Sequence, residues 1–219
     1  PQVSLVIQKD KIVAMPGLEG EPDQVPSSAV IDLGGRTVIP GLFNTHCHLQ
    51  MLPRNEIGYR QGVKNLRDCL DRGVTIIRDT LCYDLRGNQA WKEKITRGEI
   101  QGPRIHQAVH IGPLGGTYAP QRSLMTRFTF SLIGIHLIDY GLKNSGVVAF
   151  RPGAGLQEVR DAVDRAVDER GAEAIKFCDQ PEHFMSYKPG AQVMTFEQLA
   201  AAADQARRRG MLTTMHNVT

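Results

Sequence analysis

From Val38 onward the chain alternates short β-branched runs with amphipathic helical stretches, and this alternation constrains the fold more than any other feature. Successive strands joined through helices run parallel, with right-handed crossovers. The first strand is Val38 to His48. Val63, Leu66 and Leu70 then share a helical face that Gly73 closes. "VTIIRDT" (74–80) is a second strand, "GNQAWKEKITRGEI" a second helix and "RIHQAVH" (104–110) a third strand. In "LQEVRDAVDRAVDERG", Val159, Ala162, Val163, Ala166 and Val167 form one apolar stripe that stops at Gly171. "AEAIKFCD" (172–179) is a fourth strand. Thr195 and Gln198 have capping-box spacing ahead of Leu199, Ala202, Ala203 and Ala206; Gly210 ends that helix, and "MLTTMH" (211–216) is a fifth strand. Five βα units suit an open doubly wound sheet or the first part of a (β/α)8 barrel. No Gly-rich phosphate loop follows the first strand, which argues against a dinucleotide-binding sheet.

Two stretches depart from this order. Residues 1–37 read as a small β unit: "VSLVIQKDKIVAM" suggests two strands around Lys9-Asp10-Lys11, and "AVIDLGGRTVIPG" a further pair around Gly34-Gly35. Residues 111–155 form a long insertion after the third strand, suited to shaping a substrate pocket or to contacting another subunit.

The first strand ends in His46 and His48, two residues apart. A period of two turns both to one face, where two neutral imidazoles suit a divalent metal. Two adjacent surface or core histidines would leave the same pattern, so the pair depends on its context. That context is "VIPGLFNTHCHLQ", which resembles the first barrel strand of the amidohydrolase superfamily, with Pro-Gly, a polar residue and both histidines in register. The resemblance implies a (β/α)8 barrel, of which residues 38–219 would be the first five βα units. Residues 1–37 would be part of a composite β-sandwich that later strands complete. It also implies a histidine and an aspartate from later strands, so the chain reads as part of a longer protein.

The resemblance carries over to four positions. His46 and His48 would hold one divalent ion, Lys176 on the fourth strand would become a bridging carbamate, and His216 on the fifth would hold a second ion. Zinc is the first choice for both. An ammonium among Ala174, Ile175, Phe177 and Cys178 is costly to bury unpaired; without the resemblance, a lysine reaching solvent or pairing with Asp179 is the simpler reading. Asn217 and Val218, after His216, depart from the common family form. Asn44, where many members have Asp, would orient the strand end. His110, ending the third strand on the same face as His106, is a possible substrate contact. Cys47 should face the barrel wall. Cys178, with the parity of Lys176, serves packing or lines the pocket. Asp79 and Arg78 read as a structural ion pair.

The function implied is hydrolysis of an amide-like C–N bond by a metal-activated hydroxide. Imidazolonepropionases and prolidase-like dipeptidases are the nearest branch in layout, and phenylurea and thiocarbamate hydrolases are similar. A mononuclear aminohydrolase acting on a ring, and a non-catalytic homologue serving as an assembly subunit, are the alternatives. Composition agrees with a globular protein: of 219 residues 41% are apolar and 22% charged, with net charge +3 and no block of like charges to engage nucleic acid. The stretch 128–142 carries His136 and Asp139 and is too short and polar to span a bilayer. Cys47, Cys69, Cys82 and Cys178 have no zinc-knuckle or disulfide-scaffold spacing and suit reduced thiols in a cytoplasmic protein. The expected partners are a small-molecule substrate and further copies of the chain in a homo-oligomer, with neither nucleic acid nor membrane.

Overall fold

A computed structural model describes residues 4–18, 29–49, 56–82, 84–119, 145–182 and 189–217. The chain divides into two compact units, Pro1–Pro40 and Gly41–Thr219.

In the first unit, β1 (Val6–Gln8) and β2 (Lys11–Ala14) pair antiparallel, with Gln8 opposite Lys11. Lys9 takes the left-handed conformation that a two-residue hairpin turn requires (φ 58°). The second expected pair does not form. Residues 29–40 make a turn at Gly34-Gly35, where Gly34 N–H donates to Asp32 Oδ1 (2.8 Å) and Arg36 N–H to the Leu33 carbonyl (3.1 Å). No ladder flanks that turn. Val30 and Ile31 on one arm and Val38 and Ile39 on the other remain exposed, so the alternating pattern finds no apolar surface to cover.

The second unit is a curled, wholly parallel sheet of half-barrel form. Its main path runs β3 (Leu42–Cys47), β4 (Val74–Asp79), β5 (Arg104–Pro113), β7 (Ala174–Asp179) and β8 (Leu212–Asn217). Helices α1 (Glu56–Asp71), α2 (Leu85–Thr96), α3 (Leu156–Asp168) and α4 (Phe196–Arg208) supply the crossovers. One strand was not anticipated: β6 (Val147–Phe150), inside the expected insertion. It pairs with the C-terminal half of β5, while Ala108, Val109 and His110 of β5 pair with Ala174, Ile175 and Lys176 of β7. The sheet therefore forks at His110. Residues 120–144 of the insertion, with His136 and Asp139, lie outside the described residues.

The helices form because each has an apolar stripe to bury. Val159, Ala162, Val163 and Ala166 of α3 pack with Ala202 and Ala206 of α4 against Val109, Ile111, Ile175 and Phe177 of the sheet. Thr195 and Gln198 close the capping box: Gln198 N–H donates to Thr195 Oγ1 (3.2 Å) and Thr195 N–H to Gln198 Oε1 (3.0 Å). The basic run at the end of α4 divides in two. Arg207 and Arg208 pair with Asp204, whereas Arg209 reaches α3 to pair with Asp164 (2.7 Å) and Asp168. The second helix begins at Leu85, two residues earlier than its sequence pattern, because Asp84 caps it by accepting the Gly87 N–H (3.2 Å). Leu66 of α1 and Trp91 of α2 fill a second core with Ile77 and Ile105. None of the four cysteines is in a disulfide, and no helix among the described residues is long and apolar enough to cross a membrane.

Candidate metal centre

Strand alternation sorts the side chains of β3 and β7 between two faces. Cys47 packs with Leu49, Leu66 and Ile77 on the helical side, and its thiol donates to the Arg78 carbonyl (3.4 Å). Ile175 and Phe177 likewise enter the helical core. The residues between and beyond them, His46, His48, Lys176 and Cys178, belong to the opposite face.

There the C-terminal ends of the strands bring four of the expected residues together. Lys176 Nζ lies 3.1 Å from His46 Nε2. The His46 ring centroid is 5.5 Å from that of His48 and 6.4 Å from that of His216. Asn44 Oδ1 accepts the His46 N–H (3.2 Å), the orienting bond foreseen for it. His216 stands opposite Cys178 in the β7–β8 ladder. Lys176 is only 1% exposed, and among the described residues no carboxylate pairs with it; Asp179 is exposed instead.

Burial favours the neutral form of each of these groups. It lowers Lys176 to about 8 and so favours the free amine. Burial, then the neighbouring His46, Lys176 and His216, brings His48 down to about 4. His46 is lowered by burial, Lys176 and His216, and His216 by burial and Lys176. Neutral imidazoles are the form that binds metal.

His110 is 3% exposed, and burial lowers it to about 3. Its ring lies across Gly112, where an added Cβ would fall 2.9 Å from Nε2. Tyr118, which the sequence reading passed over, stands edge-on to both His110 (5.3 Å) and His216 (5.6 Å). A short turn holds it: Gly115 N–H donates to the Ala119 carbonyl (2.7 Å), and the Thr117 hydroxyl donates to the Gln180 carbonyl (2.8 Å). Its signal was an aromatic after Gly-Gly, just beyond a strand end in the insertion. Cys178 packs beside Tyr118, Leu81 and Val147.

The Arg78–Asp79 ion pair is not formed. Neighbouring strand residues face opposite ways, so Asp79 turns inward, fully buried, and meets Asn88 Nδ2 (2.7 Å) and the Leu81 N–H (3.3 Å). Burial raises its carboxyl to about 6, against the pull of these donors.

Among the described residues, no three His, Cys, Asp or Glu side chains stand grouped to hold an ion. The chemistry of the side chains still suits one: His48 Nδ1 is buried without a hydrogen-bond partner, and the His46 ring has the imidazoles of His48 and His216 and the amine of Lys176 for neighbours. A cavity of about 520 Å³ lined by Thr75, Ile76, Lys92, Ile95 and Arg104 lies at the N-terminal strand ends, away from the histidines. That end of a barrel serves stability.

No family model and no curated protein matches the chain. Solved structures do. An amidohydrolase matches with TM-score 0.69 and 22% identity over 98% of this chain and 51% of its own. A prolidase complexed with N-methylphosphonate-L-proline gives the same values. Molinate hydrolase matches with TM-score 0.60 and 19% identity, over 100% of this chain and 50% of its own. The chain thus spans about half the length of the structures it matches and shares the fold of that half.

Proposed function

We propose that this chain supplies half of the active site of an amidohydrolase-superfamily enzyme, a metal-dependent hydrolase of amide-like C–N bonds. The observation that carries the reading is the meeting of His46, His48, His216 and the buried, carboxylate-free Lys176 at one end of the sheet. The fold shared with an amidohydrolase, a prolidase and molinate hydrolase supports it.

In this reading His46 and His48 would hold one divalent ion and His216 a second, and Lys176, as its carbamate, would supply an anionic oxygen ligand to both. Two zinc ions are the expected complement; when bound, they would polarise the scissile carbonyl and activate water. The chain's own residues prepare for this. Lys176 is desolvated, and its lowering to about 8 raises the share of free amine that carbon dioxide could meet. Asn44 fixes the backbone at His46. His110 and Tyr118 form a buried polar and aromatic pair, Tyr118 standing edge-on to His216, and in this reading they would contact substrate.

The test is hydrolysis by the whole protein of a panel of Xaa-Pro dipeptides, N-acyl amino acids, cyclic amides and thiocarbamates. Turnover of one class, lost on chelation and restored by Zn²⁺, is expected. Chelator-resistant turnover, or none on any C–N substrate with metal supplied, contradicts it.

A further inference from the structure

The exits of β5 and β7 are tied together by hydrogen bonds that the reaction outlined above does not use. Thr117, in the turn after β5, is 4% exposed, and its hydroxyl lies 2.8 Å from the Gln180 carbonyl oxygen and 2.7 Å from that of Glu182. Both acceptors follow β7, the strand that carries Lys176. A second tie lies two residues earlier, where the Gln192 N–H donates to the Gly115 carbonyl (3.0 Å). That approach requires glycine: Gly115 is left-handed (φ 89°), and a Cβ on Gly116 would fall 2.9 Å from the Gln192 carbonyl oxygen. The Pro181 carbonyl accepts the N–H groups of Gly190 and Ala191 (3.0 Å each), which joins the two sides of this support to each other.

We propose that Thr117 is a positioning residue, whose hydroxyl pins the turn after β5 to the exit of β7 and so sets the Tyr118 ring against His216. Tyr118 is the next residue and is itself 4% exposed. Its ring stands at 88° to that of His216 on β8 and at 70° to that of His110 on β5, an edge-on packing that a small displacement of the turn would spoil. Without the hydroxyl, the carbonyls of Gln180 and Glu182 lose a donor in a buried setting, and the turn loses its hold on the β7 side. The consequence for substrate rests on the proposed function, in which His110 and Tyr118 contact it; the placement of the ring does not.

Imidazole carbon–proton spectra of the whole protein at pH 8, where burial keeps His110 and His216 neutral, read the ring current of Tyr118 at both histidines. Tyr118→Leu sets the signal positions without that ring. Thr117→Val keeps the shape and removes the hydroxyl; it is expected to move both histidines toward those positions. Thr117→Ser retains the hydroxyl and should stay with the wild type. Histidine signals that do not move in Thr117→Val overturn the proposal. So does Thr117→Ser moving as far as valine, since the hydroxyl would then not be what holds the turn. On a substrate that the whole protein hydrolyses, Thr117→Val should raise KM about 2- to 10-fold, the worth of one hydrogen bond; KM unmoved, or kcat alone changed, overturns the role toward substrate. If no amide-like substrate is hydrolysed, the proposed function fails, and the histidine signals still decide whether Thr117 sets the ring. Should Thr117→Val not fold, Thr117→Cys, a weaker donor of similar size, is read instead: moved histidine signals support the role, and unmoved ones overturn it.

Discussion

At the scale of single residues, burial decides the chemistry. Lys176 and Asp79 are both desolvated, and burial pushes each toward neutrality from opposite directions. For Asp79 this has a consequence for stability. Its folded pKa of about 6 lies above the ordinary value of 3.8, so the folded state binds the proton more tightly. Its contribution is present below pH 4 and is lost as pH rises through 6. Asp79→Asn should remove that loss, so the variant gains on the wild type by about 2 to 3 kcal/mol between pH 4 and pH 7. Denaturant unfolding at the two pH values measures the difference; a gap that stays constant with pH would contradict it. The sequence singled out His46 and His48 by strand parity, and Lys176 and His216 only through the family resemblance. It misassigned Asp79, whose partner Asn88 lies nine residues away on a helix, and it passed over Tyr118, which only a tertiary turn brings to the histidines.

At the scale of elements, caps and close approaches carry the detail. The Thr195–Gln198 box was readable from spacing alone. Thr195→Ala should cost about 1 kcal/mol by leaving the Gln198 N–H without its acceptor. A thermal melt measures it, and no change would show the cap to be idle. Gly62 was not readable as special. It sits in α1 against Trp91, and an added Cβ would fall 2.2 Å from the indole ring. Alanine favours a helix over glycine by about 1 kcal/mol, yet overpacking here should cost about 1 to 3 kcal/mol, and Trp91 is 1% exposed with no room to retreat. Gly62→Ala should therefore lower the melting temperature; a rise would show that the two helices separate freely. Strand β6 escaped notice because "VVAF" is a short apolar run without periodicity, set in an insertion that is apolar elsewhere.

At the scale of the whole chain, the strand–helix alternation fixes a parallel sheet, and the half-barrel curl agrees with the resemblance carried by "VIPGLFNTHCHLQ". The fork at His110 and the unformed strand pair at 29–40 were not legible, since both depend on which surfaces are available to pair. A binuclear centre bridged by Lys176 would show first in the metal content. The whole protein, prepared with bicarbonate and without chelator, should carry two divalent ions per chain by elemental analysis, falling to one or none in Lys176→Ala. One ion per chain, indifferent to Lys176, would contradict the bridge and favour a mononuclear aminohydrolase. No metal would contradict the catalytic reading altogether.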